Sequence, residues 1–233
     1  MELRDGFIVG VHNYCDRWCE RCAFTSYCRV FADVAGLDAS FDPHLKAIVE
    51  APLLEGPEPP MPAWMHERTA DEASMTMSAW EWEQCRPGIP PEHQPIDARA
   101  ASYAIRLDEW LKGRHGAGPW TTDPRCAEIT WLSTVIAMKI NRALNVSPDD
   151  DAAEHVWSSD QNGSAKVALI AIERSHAAWR DLVERGVTSR DEAQTFIADL
   201  AWLHEALERA RPHARRFVRP AFDETDEVAK LRS

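Results

Sequence analysis

"PRCAEITWLSTVIAMKINRAL", residues 124–144, is the stretch that decides the fold class. It opens with Pro124, and no proline or glycine follows inside it. Its apolar residues cover most of a helical circumference, which predicts a helix buried on nearly every side. Such a helix needs neighbours, and the sequence offers three. Residues 96–113, "IDARAASYAIRLDEWLKG", read as a helix ending at Gly113. Residues 163–186 read as a helix starting after Asn162 and ending at Gly186. Residues 188–212 begin with Thr188 or Ser189 as N-cap and close before Pro212. Strand alternation is lacking after residue 12, where "FIVGV" reads as one short strand. The expected class is all-α: a bundle of about four long helices, preceded by a cysteine-rich, metal-binding N-terminal head.

Outside this block the pattern is less regular. Shorter helices are expected in "SYCRVFADVAGL", stopped near Gly36, in "DPHLKAIVEA" and in "SPDDDAAEHVW". A longer helical pattern, whole or broken, runs through "AWMHERTADEASMTMSAWEWEQC", between proline-rich connectors. The expected organisation is a head at 1–50, a connector at 51–62, a helical bundle at 63–212 and a C-terminal tail at 213–233, whose acidic stretch "DETDEVAK" is expected to be a solvated end. Tryptophans such as Trp110, Trp131, Trp179 and Trp202 fall inside helical patterns and are expected as core anchors.

Of the 233 residues, 45% are hydrophobic, enough to build a core. The net charge of -12 argues against a general nucleic-acid binder and against attraction to anionic membranes. No unbroken apolar run is long enough to span a bilayer. The start, "MELRDGFIVGVHNYC", has no basic leader or small-residue cleavage site, so a cytoplasmic protein is expected. A protein partner is left open, as is any small-molecule substrate.

Four of the six cysteines fall in "YCDRWCERCAFTSYC", residues 14–28. In a reducing compartment such clustered thiols point to metal rather than disulfides. Cys15, Cys19 and Cys22 stand at i, i+4 and i+7, which on a helix is one face, and Cys28 returns as a fourth ligand. Four thiolates suit a [4Fe-4S] cluster or a structural zinc ion. Helical spacing fits the wider cluster better than a zinc tetrahedron, and only Cys19 and Cys22 offer the tight C-x2-C turn of zinc sites. The iron–sulfur cluster is therefore the leading reading, with a redox, sensing or structural role. A binding or scaffold module, built on structural zinc held by the same four cysteines, is the alternative. Tyr14, Trp18, Phe24, Tyr27 and Phe31 are candidates for an apolar surround, and Arg17, Arg21 and Arg29 for charge compensation. His12 is a spare ligand candidate. Cys85 and Cys126 read as packed thiols. The triplet Cys15-x3-Cys19-x2-Cys22 resembles the cluster motif of radical-SAM enzymes over eight residues. That family implies three cysteines in a barrel of alternating strands and helices; this chain has a fourth cysteine and almost no strands.

A second constellation lies in the bundle. Glu173 and His176 form a Glu-x-x-His pair, the ligand pattern of ferritin-like di-iron bundles. His204, Glu128 and Asp108 fall on apolar arcs of other helices. A carboxylate–histidine metalloenzyme site is thus a second alternative. The plainer expectation is a buried pairing of Glu128 with Lys139 or Arg142.

Overall fold

The computed structural model describes residues 2–39, 88–114, 122–145 and 160–224. The expected helices in 42–51, 63–85 and 147–157, the connector at 51–62 and Cys85 lie outside the described residues. The chain divides into two compact units, residues 1–31 with 87–233, and residues 32–86. Apart from most of the first helix, everything described below lies in the first unit.

The described residues are mostly helical. Helix α1, Arg29–Ala39, follows the cysteine segment and runs through Gly36 rather than stopping there. A glycine inside a helix costs only about 1 kcal/mol and does not by itself end it. Four long helices follow: α2, Gln94–Lys112; α3, Pro124–Leu144; α4, Asp160–Glu184; and α5, Arg190–Ala210. Their ends obey local chemistry. Asp123 caps α3 by accepting from the Arg125 amide, and Ser189 and Glu192 form a reciprocal capping box on α5. Gly186, at φ 70°, turns the chain after α4. The short link to α5 makes those two helices antiparallel neighbours.

Each long helix packs on the next, and α2 closes on α5. Helix α3 is the most buried, with Ile129, Leu132, Ile136, Ile140 and Leu144 inaccessible. Trp179 of α4 is also inaccessible, stacks on Phe196 of α5 at 4.9 Å, and donates its indole N–H to the Tyr103 hydroxyl of α2 at 3.4 Å. Buried Asp199 of α5 takes two cations from α2, Arg99 at 2.9 Å and Arg106. Trp131 departs from expectation: it is 39% exposed and serves a contact described below.

The N-terminal segment starts with a hairpin of two short strands, β1, Leu3–Arg4, and β2, Phe7–Ile8. Asp5 and Gly6, both at positive φ (52° and 84°), make the turn, as Asp-Gly pairs do in tight hairpins. Ile8, Val11, Phe24 and Ala221 form a small core of their own, with Phe222 against it. Residues 213–224 thus fold back over the head, through a short 3-10 turn at Ala214–Arg216.

Candidate functional site

Residues 14–28 are not an α-helix. They form two 3-10 turns, Cys19–Arg21 and Thr25–Tyr27, joined through an extended Cys22 and a turn at 23–24. The expectation that Cys15, Cys19 and Cys22 share a helical face is therefore corrected. The turns still bring Cys15, Cys19, Cys22 and Cys28 to the lining of one small cavity, of about 20 Å³. Val11, Trp18, Phe24, Phe31 and Phe222 supply much of the wall. Among the described residues, no three His, Cys, Asp or Glu donors converge closely enough for a single metal ion.

Each turn ends on a cysteine. The Cys22 amide donates to the Cys19 carbonyl at 3.1 Å and the Cys28 amide to the Thr25 carbonyl at 3.2 Å. The Phe24 amide donates to the Cys22 sulfur at 3.4 Å, and the Arg17 amide stands likewise toward Cys15. Amides two residues on thus face two of the sulfurs, an arrangement that stabilises thiolate. Burial pushes the Cys15 thiol up; the Arg17 amide and the Lys139 ammonium pull it back. Burial also raises Cys19, and the nearby Cys22 and Cys28 add to it. His12 lines the cavity with its buried Nδ1 unpartnered, and burial, then Arg17, Arg142 and Lys139, lowers its pKa.

The bundle holds this loop from beneath. Lys139, buried on α3, donates to the Asn13 carbonyl at 2.5 Å. The Trp131 indole donates to the Asp16 carbonyl at 2.7 Å, and Trp18 stacks on Trp131 at 5.7 Å. Arg174 of α4 bridges Asp16 at 2.7 Å and Glu128 at 2.8 Å; Arg125 also reaches Glu128. Glu128 therefore pairs with Arg174 and Arg125, not with Lys139 or Arg142. Lys139 serves the head instead, and Arg142 grips Asp160 through two bonds of 2.7 Å.

Tyr14 seats the head on α4. Its hydroxyl donates to Asp160 at 3.2 Å and its ring lies 4.6 Å from Phe217. Burial and then Asp160 push its pKa up to about 12. A Cβ on Gly163 would stand 2.3 Å from the Tyr14 ring. Gly163 is therefore an interior residue of α4 kept bare for this contact, and the helix begins at Asp160 rather than after Asn162.

The second constellation is divided. Glu173 and His204 meet at 3.2 Å, but at the surface, where Arg215 donates to Glu173 at 2.6 Å and to Glu208 at 3.0 Å. Burial opposes ionisation of Glu173, and Arg215 and His204 more than offset it, lowering its pKa. His176 lines the same shallow groove without bonding Glu173, and burial lowers its pKa. Glu128 belongs to the head-anchoring network, and Asp108 pairs with Lys112 at 2.5 Å. Cys126 is packed, its thiol raised by burial to about 11.

The chain matches no family model, no curated protein and no solved structure. Function therefore rests on the site itself. Among the described residues, no helix is long and apolar enough to cross a membrane.

Proposed function

We propose that the protein carries a [4Fe-4S] cluster ligated by Cys15, Cys19, Cys22 and Cys28, and uses it for electron transfer, sensing or structural support. The observation that carries this reading is that the four thiols line one largely apolar cavity. A cluster spreads its outer thiolates more widely than tetrahedral zinc, whose bonds to sulfur are about 2.3 Å. Amide donors toward Cys15 and Cys22, and the nearby Lys139 cation, offset the negative charge of four thiolates. Aromatic walls limit solvent and so favour cluster persistence.

Full thiolate ligation leaves no iron open to a substrate, so the reading favours electron exchange or sensing over Lewis-acid chemistry. Anaerobically purified protein is expected to be brown, with broad absorbance at about 400 nm that bleaches on reduction. A colourless protein carrying one zinc per chain would replace this reading with the four-cysteine zinc scaffold.

A further inference from the structure

Beside the cysteine cavity runs a second, open groove of about 770 Å³ on α2 and α3. Arg17 and Trp18 line both. The groove floor is apolar: Leu111, Val135 and the half-exposed Met138 lie along it, with Trp131, 39% exposed and stacked on Trp18. That indole is fixed in orientation by its bond to the Asp16 carbonyl. It is a flat plate, whose face suits a planar apolar group.

The charges at the rim are mostly paired. Asp108 holds Lys112, and Arg114 pairs with Glu192 while its guanidinium covers Trp110. Arg17 differs: its guanidinium meets no carboxylate among the described residues, although the chain carries a net charge of -12. Its backbone is held left-handed at φ 56°. A non-glycine residue in that region is strained and persists where its surroundings over-determine it. Here Asp16 does so, bonded to the Trp18 amide, the Trp131 indole and Arg174. Arg17 thus stands in the groove lining with no carboxylate partner among the described residues.

We infer that this groove binds a small organic anion with a flat apolar body, the body on Trp131 and Met138 and the anionic group on Arg17. Glu20 shares the rim and repels the same group, which sets a preference for ligands whose charge is at the Arg17 end. The inference does not depend on which metal the four thiols hold.

The test uses anaerobically purified full-length protein and two fluorescent probes, anionic anilinonaphthalene sulfonate and neutral phenylnaphthylamine. Each variant's absorbance spectrum and metal content are compared with wild type, so that loss of the metal centre is separated from loss of the groove. The anionic probe is expected to bind saturably at one per chain. Arg17→Gln weakens it about fivefold and removes most of its salt dependence, leaving the neutral probe unchanged. Glu20→Gln tightens the anionic probe. Met138→Glu weakens it more than it weakens the neutral one. Ile105→Ser, at an exposed apolar residue outside the groove, changes neither. Equal loss of both probes in Arg17→Gln overturns the inference. So does an unchanged anionic affinity in both Arg17→Gln and Met138→Glu.

Discussion

Gly163→Ala is a minimal change with a large structural demand. The added Cβ would lie 2.3 and 2.6 Å from Tyr14 ring carbons and 2.8 Å from Phe217. Reaching ordinary contact requires the Tyr14 ring to retreat by about 1 Å. It cannot do so freely, because Phe217 packs on it and its hydroxyl is tied to Asp160. Overpacking of this kind costs about 1–3 kcal/mol. Alanine returns up to about 1 kcal/mol of helix propensity. The net expectation is a loss of about 1–2 kcal/mol, or roughly 5 °C in Tm for a chain of this size. Tyr14 directly precedes Cys15, so under the proposed metal centre the variant should also release metal faster to a chelator. Gly113→Ala is the control. A Cβ there makes only an ordinary contact at 3.6 Å, and its Tm should stay level or rise. Thermal unfolding by circular dichroism, with metal release followed in parallel, checks both. A Gly163→Ala protein as stable and as metal-retentive as wild type would refute the seating of the head on α4.

Asp223 ties the C-terminal return to Lys166 and Arg219. Burial alone would raise its pKa, but hydrogen bonds from Arg219 and Lys166 hold it down to about 2. A depressed carboxylate contributes stability above its unfolded pKa and loses it as pH falls toward the folded value. Urea unfolding from pH 6 to pH 3 should therefore show a loss of about 1 kcal/mol that Asp223→Asn abolishes. Arg174→Ala strips a partner from both Glu128 and Asp16 and should cost about 2 kcal/mol in the same assay; Arg174→Lys should recover only part of it. Glu173→Ala and His204→Ala break exposed pairs, so each should cost under about 1 kcal/mol and leave iron content unchanged. Loss of iron in either would revive a bundle-centred metal site.

The bundle was legible because its signals are local. Apolar periodicity marked Pro124–Leu144, Ser189 with Glu192 marked the start of α5, and Gly113 and Gly186 marked two ends. The conformation of the cysteine segment was not, because its determinants are distant in sequence. Lys139, Trp131 and Arg174 fix residues 13–16 from more than a hundred positions away. Without them the spacing of Cys15, Cys19 and Cys22 suggests a helix. Gly163 misled for a related reason: a bare position needed by Tyr14 looks like a helix start. Two signals were present but not used. Asp5-Gly6 is a hairpin turn pair, and the aromatics of "FVRPAF" in residues 217–222 mark a segment that packs rather than a tail.

Iron, acid-labile sulfide and zinc per chain, measured on anaerobically purified protein, test the cysteine centre most directly when repeated on single Cys→Ser variants at positions 15, 19, 22, 28 and 126. A four-iron cluster predicts about four iron and four sulfide in wild type and in Cys126→Ser, with marked loss in the variants of Cys15, Cys19, Cys22 and Cys28. One zinc without sulfide, or metal content indifferent to those four positions, would contradict it.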